Sequence, residues 1–182
     1  MKKYELTDET IKIGGHTLHR IKALVDFGNV KAGDIGGWIE KEENLAQDGN
    51  AWVYGDARVS GNALVCGNAR VSGDVRVSGN ALVYGNALVC GNARVSGDAR
   101  VSGNAHYLAI GPIGSRDDTV TFTRENNGGI YVAVGCFFGT LDEFRKKVEE
   151  THGDNAHAEA YLLAAKLAEM RIDTTPIDDE VK

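Results

Sequence analysis

The chain has 182 residues, 25% of them charged, and a formal net charge of −6 at pH 7. That balance excludes a nucleic-acid binder that relies on general electrostatic attraction to phosphate. No apolar run is long enough to span a bilayer, no apolar stretch follows the two lysines of MKKYELTDET, and the three cysteines form no CxxC pair, so the reading is a cytoplasmic protein with free thiols, no leader and no membrane partner.

Residues 1–34 read as a capping hairpin. Ile11 and Ile13 alternate with polar residues, Gly14-Gly15 makes the turn, and a second strand runs from His16 to Leu24. Residues 35–106 follow one short period. From Val53 to His106 nine hexapeptides run without a break: VYGDAR, VSGNAL, VCGNAR, VSGDVR, VSGNAL, VYGNAL, VCGNAR, VSGDAR and VSGNAH. Position one is always Val, position three Gly and position four Asn or Asp; position five is Ala except at Val75. Each unit is a short strand and a corner, because Gly-Asn and Gly-Asp tolerate positive φ. A unit cannot bury its own apolar side, so the units must stack. The frame extends backward through Ile35, Lys41 and Gln47, which places Ile39, Leu45 and Ala51 at position five. Lys41 and Gln47 are poor inward residues, so the first coil is expected to be distorted.

These repeats resemble the hexapeptide-repeat family. The resemblance implies a left-handed parallel β-helix, here of about four coils with three units each. It also implies a homotrimer. The start of the chain, from Lys3 through GGWIEKEENL, is similar to small repeat proteins of phages and prophages. The fold class expected is mainly β, a capped β-helix with a small C-terminal α+β module.

Residues 18 apart stack on the prism surface. Arg58, Arg76 and Arg94 make one column, with Glu40 expected beneath them. Leu64 and Leu82 make an apolar column, and Leu88, Trp52, Tyr54 and Tyr84 are also expected outside. Leu64, Leu82 and Leu88 are the candidate subunit interface.

Past His106 the period stops. Residues 107–172 read as a C-terminal module with strands at Tyr107–Ile110, Thr119–Glu125 and Ile130–Gly135. Thr140-Leu-Asp-Glu143 is a capping box, opening a helix that Gly153 closes. A second helix covers about Ala156–Arg171, and residues 173–182 read as an acidic disordered tail.

The histidines suggest no metal or cofactor. His16 and His19 point to opposite faces of a strand, and His152 and His157 straddle a helix break. The family's acyltransferases use a histidine near a loop extruded from the coils; here the units are uninterrupted, and His106 is the one histidine among them, so no catalytic residue is assigned. The loop Gly111–Asp118 is the best ligand signal. Gly111 and Gly114 free the backbone, Ser115 donates to phosphate, Arg116 supplies a planar fork and Arg124 a second charge, with His106 nearby. The reading that follows is a non-enzymatic phage or mobile-element protein that sequesters an anionic, nucleotide-type signal or a host defence protein. The alternatives are a hexapeptide-type acyltransferase acting on a small molecule and a structural trimerisation module.

Overall fold

The computed structural model describes residues 1–175. The expectation of a disordered tail lies, beyond Thr175, outside the described residues. Strands β1 (Tyr4–Ile13) and β2 (His16–Ala23) form the expected antiparallel hairpin. Strand β3 (Ile35–Ile39) enters the first coil. Nine strands of two residues follow: β4 (Trp52–Val53), β5 (Arg58–Val59), β6 (Leu64–Val65), β7 (Arg70–Val71), β8 (Arg76–Val77), β9 (Leu82–Val83), β10 (Leu88–Val89), β11 (Arg94–Val95) and β12 (Arg100–Val101). They stack in parallel on three faces, in the orders β3-β5-β8-β11, β4-β7-β10 and β6-β9-β12. The protein is thus a parallel β-helix of about four coils with a small C-terminal module.

The repeat explains its own stacking. All nine repeat valines are at most 1% exposed, as are the position-five alanines from Ala57 to Ala99. Their small side chains fill the narrow interior. Backbone bonds tie each coil to the next, as in Arg58 N–H to Val75 O at 2.9 Å and Ser60 N–H to Val77 O at 3.0 Å. At two corners the position-four side chains form ladders: Asn50 to Asn68 to Asn86, and Asn62 to Asn80 to Asp98, at 3.0–3.3 Å. Gly73 shows why position three is glycine. Its φ is 82°, and a Cβ there would lie 2.7 Å from the Gly91 carbonyl oxygen of the next coil.

The first coil departs from the expected frame. Trp38 pairs with Arg58, Ile39 with Val59 and Leu45 with Val65, an offset of 20 residues. By Trp52, which pairs with Arg70, the offset is 18. Two extra residues therefore sit between Ala46 and Asn50. Ile39 and Leu45 occupy the valine position, not position five, and Trp38 rather than Glu40 stacks under Arg58. The extra segment anchors the cap. The Gln47 carboxamide oxygen accepts from Lys3 N–H at 2.8 Å, and Lys3 Nζ donates to Asp48 O and Ala51 O.

Both ends of the stack are covered, as unpaired sheet edges require. Strand β2 pairs antiparallel with β3, which extends one prism face into the hairpin. Tyr4 and Phe27 pack edge-on against Trp52, with ring centroids 6.1 and 5.4 Å away. Trp52 was expected outside; it is 1% exposed because the cap folds over its column. At the other end, β13 (Tyr107–Ile113), β14 (Asp118–Arg124), β15 (Ile130–Val134) and β16 (Phe137–Thr140) form an antiparallel sheet. Its strand β14 meets the last coil: Thr121 Oγ1 accepts from Arg94 N–H at 2.9 Å, and Glu125 bridges to Ala99. Helices α1 (Leu141–His152) and α2 (Ala156–Arg171) close this module around Phe144, which contacts Phe122, Phe137 and Tyr161. Thr140 and Glu143 form the expected capping box. Gly111 belongs to β13 rather than to a loop, and only residues 114–117 make the turn before β14.

Candidate functional site

The cap and the C-terminal module both overhang one prism face, and a groove of about 330 Å³ lies along it. Its floor carries Arg58, Arg76 and Arg94 beside Ser60, Ser78 and Ser96. The arginines stack because they occupy position six of successive coils, in register across β5, β8 and β11. At one end stands the hairpin tip, from Ile13 to Leu18; at the other stand Gly135 and Phe138.

The three guanidiniums are not equivalent. Arg94 is tied down: it donates to Gly135 O at 2.6 Å and lies 3.6 Å from the Asp118 carboxylate. Among the described residues, no carboxylate comes within 4.0 Å of Arg58 or Arg76. Arg58 Nε is buried with no partner, and so is the hydroxyl of Ser96, a residue only 8% exposed. A buried donor without an acceptor costs free energy, which a bound ligand oxygen would recover. Like-charged neighbours on adjacent rungs add to the attraction for an anion.

One imidazole stands over this floor. His16, at the start of β2, holds its Nδ1 2.8 Å from Glu40 Oε1, while Glu40 Oε2 accepts from Gly61 N–H at 2.7 Å. These two bonds hold the Glu40 carboxyl below its ordinary range, the His16 contact being the larger cause. A proton on Nδ1 faces the ionised carboxylate, and in the neutral form of the ring Nε2 is then the acceptor. The sequence places Glu40 beneath the arginine column and His16 on the opposite face of a strand from His19, but gives no sign that the two meet. They lie 24 positions apart, and only the fold of β2 against β3 brings them together.

The residues singled out from the sequence divide between two other places. Ser115 and Arg116 line a second hollow, of about 290 Å³, between the C-terminal sheet and its helices. Gly114 precedes them at φ 75°, with the Tyr161 hydroxyl where its Cβ would be. Gly111 lies against Thr119. Arg124 and His106 are elsewhere, at the end of the coils. Arg124 is 4% exposed and donates to Arg100 O and the Ser102 hydroxyl. His106 Nδ1 accepts from Ser102 N–H at 3.1 Å, so its proton resides on Nε2. Burial, and then the nearby Arg124 charge, pull this imidazole below its ordinary value, and it is neutral near pH 7. Leu64 and Leu82 are half-buried in one column, and Leu88 is 43% exposed on another face. The described residues contain no helix long and apolar enough to cross a membrane.

The coils match a known repeat family. A family model described as the YdcK beta solenoid repeat matches residues 51–67, 63–79, 75–91, 87–103 and 93–106. The chain is also similar to the uncharacterized acetyltransferase YdcK of Escherichia coli (strain K12), with 40% identity over 62 residues. That match covers 30% of this chain and 19% of the relative, so the chain spans about a fifth of the length of the protein it resembles. The named relative corrects the functional expectation. It is an acetyltransferase, which favours the acyltransferase alternative over a non-enzymatic phage protein that sequesters a signal. Glycine-cornered hexapeptides, three stacked parallel faces and YdcK-type repeats together fit this chain to a hexapeptide-repeat β-helix family.

Proposed function

We propose that the chain carries an acyltransferase site of the hexapeptide-repeat kind, acting on a small molecule. The observation that carries this reading is the 40% identity over 62 residues to a protein named as an acetyltransferase. The groove supplies chemistry that suits it. Arg58 and Arg76 offer unpaired guanidiniums to the anionic part of a thioester acyl donor. His16 Nε2 takes the proton of the acceptor hydroxyl or amine as that group attacks the thioester carbonyl. The new C–O or C–N bond forms, the C–S bond breaks, and the imidazolium returns the proton to the departing thiolate. Glu40 orients the ring and stabilises the imidazolium between these steps. The working unit in this proposal is a homotrimer joined through the Leu64–Leu82 column.

The test is thiol release from acetyl-coenzyme A by the full chain, measured with a thiol reagent across a panel of small amines and alcohols. Turnover is expected with at least one acceptor. His16→Asn then lowers kcat by about 10²–10⁴-fold, whereas Arg76→Ala acts mainly on the donor KM. No acceptor-dependent release and no donor binding would overturn the reading.

A further inference from the structure

The hollow in the C-terminal module is separate from the arginine groove, although Gly135 borders both. Its inner walls are apolar. Phe144, Val148 and Tyr161 form its base, with Val134 and the half-buried Phe137 at the side. A small module gains stability by closing its apolar surface, yet these side chains leave about 290 Å³ open. That volume suits a single small organic molecule.

The rim is cationic. Arg116 stands there exposed, and among the described residues no carboxylate comes within 4.0 Å of it. Lys147 and His152 border the same opening, with the Ser115 hydroxyl beside Arg116. Lys147 reaches the exposed Glu150 at 3.4 Å. The single acid among the lining residues, Asp118, already faces Arg94 on the coil side. The rim is also placed rather than loose. The Tyr161 hydroxyl fills the space beside Gly114, and this contact sets the turn that presents Ser115 and Arg116 over the apolar base.

We propose that this hollow binds a small aryl carboxylate, with the ring against Phe144, Val148 and Tyr161 and the carboxylate on the Arg116 fork. A planar guanidinium takes a carboxylate through two parallel N–H bonds, and Lys147 and Ser115 supply further donors at the rim. The apolar base excludes a small hydrophilic anion, and the rim selects against a neutral aromatic molecule. The assignment does not depend on acyl transfer, since neither His16 nor Arg58 nor Arg76 borders this hollow.

Cys136 provides a readout independent of activity. Its thiol is exposed on the lining of the hollow, whereas Cys90 is exposed on the prism, away from it. The experiment alkylates the full chain and follows both cysteines by peptide mass spectrometry, with phenylacetate, phenylacetamide or acetate present. Saturating phenylacetate is expected to slow modification of Cys136 by about tenfold, as burial under a bound ligand implies, and to leave Cys90 unchanged. Phenylacetamide and acetate at the same concentration give no protection. Arg116→Gln abolishes the protection with no change in melting temperature, because Arg116 is exposed; Lys147→Gln weakens it. Absence of protection by phenylacetate overturns the proposal. So does equal protection by the amide, which would mean apolar filling alone, or by acetate, which would mean charge alone.

Discussion

Ala81 has an alanine one coil below it, Ala63, and another one coil above, Ala99, and all three are at most 1% exposed. No space remains at that corner for three more carbons. Ala81→Leu is expected to destabilise the fold by about 1–3 kcal/mol, read as a lower melting temperature; an unchanged melt would mean that the corner faces outward. Lys3 gives a pH signature. Its burial pulls the ammonium from 10.5 down to about 8, against a partly opposing Asp48 charge. Below that value a charged, buried Lys3 costs folding free energy. As the pH rises from 8 towards 10.5, the unfolded chain holds the extra proton and the cost fades. Compared with Lys3→Met in denaturant unfolding, the wild type should therefore gain stability relative to the variant between about pH 7 and pH 10. A constant gap between the two proteins would contradict the assignment.

At the scale of elements, the cap is a hairpin that extends one prism face and presses Tyr4 and Phe27 onto Trp52. Trp52→Ala should cost about 3–5 kcal/mol, measured by urea unfolding, and a loss below about 1 kcal/mol would show that the cap only rests on the coil. The regular coils were legible in the sequence because each position admits one kind of side chain. The first coil was not. Its two extra residues, near Gln47, leave Ala51 in frame, so the shift of Ile39 and Leu45 is masked. Strand β16 escaped notice because Gly135, at φ 55°, turns the chain within two residues and Phe137-Phe138 shows no alternation. Ser115 and Arg116 were legible from the glycine that opens their turn. Arg124 was grouped with them wrongly in space, since it lies at the far end of β14 from Asp118. The pairing of His16 with Glu40 had no local spacing to announce it, only a position beside the Gly14-Gly15 turn.

For the whole molecule, the proposed trimer makes Leu64 and Leu82 the decisive pair. Both are half-buried in the single chain and stacked in register. Changing both to Glu should shift the sedimenting species from trimer to monomer while the melting of the coils is retained. A wild-type protein that sediments as a monomer at micromolar concentration would remove the column from any assembly role.

The period itself has a consequence for reach. Each coil adds 18 residues and advances the stack by about 4.8 Å, the spacing between paired strands. The hairpin tip with His16 is fixed to the bottom of this stack, and Phe138 with Gly135 to the top. The distance between them is therefore quantised: the molecule is a caliper whose jaws can open or close only in whole rungs. A chain lacking residues 65–82 would keep every column in register and still close both ends. Its jaws would stand one rung nearer, and its floor would hold two stacked guanidiniums in place of three. Ligand length would then be selected by counting repeats, a property that any lineage could change by copying or losing a single block of 18 residues.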